Sequence, residues 1–115
     1  MSMPGVVVIR VRQDSANFLY REYFVDSKIS LRPHKIFFVP VTDAYQESVA
    51  NEIGKIGAEL IRLLGRIDGL DFIYLTNESV GISKQRGKDW RKIEKEIFID
   101  IQSVLNGNSY VIRKW

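Results

Sequence analysis

Cysteine is absent from the 115 residues, which excludes disulfides, thiolate catalysis and any cysteine-ligated zinc or iron–sulfur centre within this chain. Histidine occurs once, as His34 beside Pro33, so no second imidazole is present to complete a metal site. It reads as a solvated loop residue. No apolar run approaches the ~20 residues of a membrane span, and Met1-Ser2-Met3-Pro4-Gly5 has neither the basic start nor the apolar stretch of a secretory signal. The expected compartment is the cytoplasm or an organellar matrix, with no membrane partner. Nucleophile elbows and Walker-type phosphate loops are missing as well. The chain therefore reads as a non-enzyme without metal or cofactor.

An apolar fraction of 45%, with six Phe, five Tyr and two Trp, belongs to a globular protein and not to a disordered one. The length suits one core, so residues 1–115 read as a single domain. The net charge of +3 is a mild basic bias, of a kind that serves RNA or an acidic partner protein.

Hydrophobic periodicity predicts eight elements. Residues 6–12 are β-branched and then alternate, residues 18–25 are aromatic-rich, and Gln13-Asp14-Ser15-Ala16-Asn17 between them forms a hairpin turn. Residues 35–41 are apolar on both pleat faces, as in a buried strand. Thr42-Asp43 offers an N-cap. Val49, Ile53, Ile56, Leu60, Leu63, Leu64 and Ile67 then recur at helical steps up to about Asp68-Gly69. A second hairpin turns at Asn77-Glu78. Asp89 caps a helix with the stripe Trp90, Ile93, Ile97, Ile101, Val104 and Leu105. Asn106-Gly107-Asn108 stops it, and residues 110–115 form a last strand. The order β-β-β-α-β-β-α-β implies an α+β fold: a mainly antiparallel sheet with two helices packed on one face.

Few residues carry chemistry. Asp14, Asp26, Asp43, Asp68, Asp71, Asp89 and Asp100 fall mainly at turns and helix starts, where carboxylates accept from backbone N–H groups. Gly54-Lys55-Ile56-Gly57 matches the G-x-x-G loop with which RNA-binding KH domains clamp a nucleotide backbone, and Arg62 and Arg66 would line the phosphate path. The competing reading keeps both glycines inside one continuous helix, each costing about 1 kcal/mol relative to Ala, where small residues let a neighbour approach. In Lys84-Gln85-Arg86-Gly87-Lys88-Asp89-Trp90, Gly87 supplies a positive φ, Asp89 the cap, and Trp90 the seal of the first turn on the sheet.

Taken together, Ile67-Asp68-Gly69-Leu70, Phe72-Ile73-Tyr74, Val80-Gly81-Ile82-Ser83-Lys84, Gly87-Lys88-Asp89-Trp90 and Glu96-Ile97-Phe98 resemble the N-terminal domain of Nfu/NifU-like iron–sulfur assembly proteins. The likeness runs without a gap from about residue 58 to residue 101. The family's Thr-Pro-Asn-Pro-Asn turn is replaced by Gln13-Asp14-Ser15-Ala16-Asn17, and its Cys-x-x-Cys motif does not occur here. The resemblance implies a non-enzymatic protein-interaction module that docks an iron–sulfur scaffold or client. The expected docking patch gathers Asp68, Gly69, Asn77, Glu78, Lys84, Arg86 and Lys88 at one tip of the domain. Asp89 and Trp90 serve as its structural motif. The alternative function is KH-like RNA binding through Gly54, Lys55, Ile56, Gly57, Arg62 and Arg66.

Overall fold

The computed structural model describes residues 5–42 and 47–114. Its elements are β1 (Val6–Gln13), β2 (Tyr20–Phe24), β3 (His34–Phe38), α1 (Glu47–Leu64), β4 (Leu70–Thr76), β5 (Ser79–Lys84), α2 (Trp90–Val104) and β6 (Ser109–Lys114). This is the expected order and class. Asp43, expected in the first N-cap, and Trp115, expected in the last strand, lie outside the described residues.

The six strands form one sheet in the order β3-β4-β5-β2-β1-β6. All pairings are antiparallel except β1 with β6, which run parallel from Val6↔Ser109 to Val11↔Lys114. Because side chains alternate across a strand, one face collects Val7, Ile9, Tyr23, Phe37, Ile73, Leu75, Val80 and Ile82, each at most 9% exposed. Against this face pack Ile53, Leu60, Ile61 and Leu64 of α1 and Ile93, Ile97 and Ile101 of α2. Burying such stripes supplies most of what holds helices of this length. The predicted first turn is built by its own side chains: Asp14 Oδ1 accepts from the amides of Ala16 at 2.8 Å and Asn17 at 3.2 Å.

Two expectations need correction. The third strand is not a buried one. It ends at Phe38 on the sheet edge, and although Phe37 is buried, Ile36 and Phe38 on its other face are 49% and 71% exposed. An apolar run on both pleat faces marked an uncovered aromatic edge here, because among the described residues no helix packs on the second face. The first helix is not continuous either: Gly54 adopts φ 90, ψ 168, which kinks it. The kink turns the Ile53 carbonyl outward to accept from Leu31 N–H at 2.9 Å, tying the β2–β3 loop to the helix.

Candidate functional site

Two segments of the chain meet at the start of α2. Gly87 takes the predicted positive φ of 82, and Asp89 is extended and accepts from Arg91 N–H at 2.9 Å, capping the helix. Backbone hydrogen bonding to Arg91 holds the Asp89 carboxyl below its ordinary range. The Lys88 stem lies directly on Gly69, where a Cβ would stand 2.7 Å from Lys88 Cγ and where φ is 95. Beyond Gly69, Lys88 Nζ pairs with Asp68 Oδ2 at 3.1 Å, and Gln85 N–H donates to the Gly69 carbonyl at 2.7 Å. Asp68, Gly69, Lys88 and the Asp89 cap thus form one rigid corner.

Trp90 anchors the corner from behind. Its indole Nε1 donates to the Phe18 carbonyl at 2.9 Å. The Arg21 guanidinium lies 4.7 Å from the ring centroid and Lys84 Nζ 5.8 Å, distances at which a cation is attracted to the indole face. Arg21 continues into an ion pair with Glu94 at 2.9 Å, and Glu94 in turn accepts from the Tyr23 hydroxyl at 2.8 Å. Burial first, then Glu94, drives the Tyr23 hydroxyl far above the ordinary phenol range, so it stays a neutral donor. Sequence reading missed Arg21, Tyr23 and Glu94. Alternation along β2 places the first two on one face, but nothing local says that Glu94 arrives opposite them.

The expected patch is divided by the structure. Asp68, Gly69, Arg86 and Lys88 are together, whereas Asn77 and Glu78 turn the hairpin at the opposite end of β4 and β5. Seven strand residues, roughly 23 Å, separate the two ends. Asn77 is also occupied. Its Nδ2 donates to the Ser30 carbonyl at 2.8 Å, and its own carbonyl accepts from Ile29 N–H at 2.6 Å, clamping the β2–β3 loop. Lys84 is no surface cation, being 7% exposed beneath Trp90. Its place at the outer rim is taken by Lys92 and Lys95, which with Asp68, Lys88, Asp89 and Glu96 border a shallow groove of about 570 Å³.

Gly54-Lys55-Ile56-Gly57 does not form a four-residue loop. Only Gly54 leaves helical dihedrals, and Lys55, Ile56 and Gly57 lie in the helix that follows the kink. Both glycines serve the β2–β3 loop: Leu31 Cγ would be 3.1 Å from a Cβ on Gly54, and the Ile29 carbonyl 2.8 Å from one on Gly57. Arg62 pairs with Glu59 at 3.3 Å on α1, and Arg66 lies past the helix end near Asp100. The motif thus bends at Gly54 and runs on as helix through Gly57.

Among the described residues no cluster of His, Asp and Glu is arranged to hold a metal ion, and no buried side-chain nitrogen or oxygen lacks a hydrogen-bond partner. The corner can offer charge, an aromatic face and a fixed backbone. No helix among the described residues is long and apolar enough to cross a membrane.

The fold resembles that of protein SAV1430 from Staphylococcus aureus. The two share 11% identity with a TM-score of 0.54, over 84% of this chain and 93% of that one. At that identity the likeness is one of fold alone. No protein-family model and no curated protein matches the sequence.

Proposed function

We propose that the chain is a non-enzymatic protein-docking module that assists iron–sulfur protein maturation, and that it engages a scaffold or client through the corner of Asp68, Gly69, Arg86 and Lys88, which Trp90 supports. One observation carries this reading. The segments on which the Nfu resemblance rests, Asp68-Gly69 and Gly87-Lys88-Asp89-Trp90, lie twenty positions apart in the chain and close on one another through the Lys88–Asp68 pair. A motif that is local in space and capped on a helix start is pre-organised, so a partner bears little ordering cost on binding. Lys88, Lys92 and Lys95 are exposed around the groove, and Arg86 is exposed in the loop that leads to it, a set of cations that steers acidic partners and sets register more than raw affinity.

The test is calorimetry against a purified iron–sulfur scaffold protein with Arg86, Lys88 and Lys92 reversed together to Glu. Lys84 is left intact because its charge is buried against Trp90. The reading expects affinity to fall at least tenfold with the melting temperature nearly unchanged, since exposed ion pairs such as Lys88–Asp68 contribute little to stability. Unchanged affinity would remove the corner as the docking surface. Failure of the parent protein to bind scaffold or client would remove the maturation role.

A further inference from the structure

The sheet face turned away from the helices has its own organisation. Register places Phe38, Phe72, Ser83 and Tyr20 in one row across four strands. Phe38 and Phe72 stand 6.1–6.2 Å from their ring neighbours along that row: Phe38 to Phe72 is 6.2 Å and Tyr20 to Phe72 is 6.1 Å. In the next row Ile36, Tyr74, Gly81, Glu22 and Arg12 follow one another. A third contains Ser79, Phe24, Arg10 and Arg113. The small residues of β5 allow the rings of β2 and β4 to lean inward; a Cβ on Gly81 would lie 1.8 Å from the Tyr20 hydroxyl oxygen.

Charge on this face is uneven. Arg10 and Arg113 are register partners on the parallel pair β1 and β6, exposed and pointing the same way. Like charges placed opposite each other destabilise a sheet, and an anion between them reverses the sign of that effect. On this side Glu22 stands opposite Arg12, and Asp26 lies past the end of β2 beside Val6 and Val8. Phe72 and Arg10 lie three strand spacings of ~4.8 Å apart across the sheet and four residues, about 13 Å, apart along it, so an oligonucleotide of several nucleotides spans both.

We propose that this open face binds single-stranded nucleic acid, with Phe38, Phe72 and Tyr20 stacking bases and Arg10 with Arg113 holding phosphates. An exposed Phe38 beside the partly exposed Phe72 and Tyr20, on a sheet that also carries cations, is the combination that single strands require: every base offers a π-face, and the backbone offers regularly spaced charge. The site is distinct from the Gly54-Lys55-Ile56-Gly57 segment and from the Trp90 corner, so it stands or falls separately from the docking reading. About two or three bases would be stacked.

Fluorescence anisotropy with labelled dodecamers of uridylate and deoxythymidylate tests it. The parent protein binds both at micromolar concentration in 100 mM salt and binds a 12-base-pair duplex at least tenfold more weakly. Phe38→Ala, at an exposed position that leaves the core untouched, lowers affinity roughly tenfold. Arg10→Gln with Arg113→Gln reduces the slope of log K against log salt by about 1.4, two phosphates at ~0.7 each. Lys55→Glu changes neither. Equal affinity for single strand and duplex, or indifference to Phe38→Ala, overturns the proposal. So does sedimentation showing a dimer that Phe38→Asp dissolves without any oligonucleotide binding, because a second copy then covers the face.

Discussion

The indole nitrogen of Trp90 and the carbonyl oxygen of Phe18 are joined by a 2.9 Å hydrogen bond across 72 positions of sequence. That bond fastens the start of α2 to the loop between β1 and β2. With Arg21 and Lys84 stacked on the ring, Trp90→Ala removes packing, a hydrogen bond and two cation contacts. Its expected cost is about 2–3 kcal/mol, below that of a fully buried Trp because the ring is only partly buried. Trp90→Phe keeps the aromatic face and should cost about 1 kcal/mol. Asp89→Ala should lower the melting temperature by less than Trp90→Ala does. Urea unfolding of the variants checks the ranking, and equal stabilities for Trp90→Ala and the parent would show the helix start to be untethered.

Glycine-to-alanine changes in α1 should run against helix propensity. Propensity alone forecasts a gain of about 1 kcal/mol for each. Gly54→Ala instead imposes a side chain on φ 90 and against Leu31, for a cost of about 1–2 kcal/mol. Gly57→Ala sets a methyl 2.8 Å from the Ile29 carbonyl, so the β2–β3 loop must move, at about 1–3 kcal/mol. A stabilised Gly57→Ala would mean that the loop does not rest on the helix.

Asp100 gives the stability curve a definite direction. Burial first, then Glu96, pushes its carboxyl up to about 6, with Arg66 opposing. Unfolded, the same group titrates near 3.9. Between roughly pH 4 and pH 6 the folded chain holds a proton that the unfolded chain has released, so this group makes stability fall as pH rises through that window. Asp100→Asn should therefore stabilise at pH 7, by about 1 kcal/mol once solvent screening of a half-exposed site is allowed for. It should give no gain at pH 4. Thermal melts at the two pH values decide, and a gain of equal size at both would assign the effect to packing.

Much of the architecture was legible because periodicity reports burial, and six strands and two helices were set by it. Caps and turns were legible for a local reason: Asp14, Gly87 and Asp89 each act within three residues of themselves. The Gly54 kink was open to two readings, since the G-x-x-G spacing allowed a break there, whereas the apolar spacing of Val49, Ile53 and Leu60 is preserved on both sides of it and says nothing about φ. The edge position of β3 was hidden because a strand apolar on both faces reads the same whether or not a helix covers the second. The separation of Asn77-Glu78 from Asp68-Gly69 was available in principle, as a hairpin's turn and its strand ends must lie a strand length apart. Glu94 beneath Arg21 and Phe18 against Trp90 depend on long-range docking that no local pattern encodes.

The parallel ladder of β1 with β6 joins Val6 to Ser109, and this makes the order of assembly lopsided. Closing a loop of about 100 residues costs about 1.7 kcal/mol more in chain entropy than closing one of about 15. The hairpins β1–β2 and β4–β5 can therefore form early, and β6 zips on after α2 has packed. Until then, the Val6-Val7-Val8-Ile9 stretch of β1 is an open apolar edge, the segment most prone to pair with another chain while the protein is still folding.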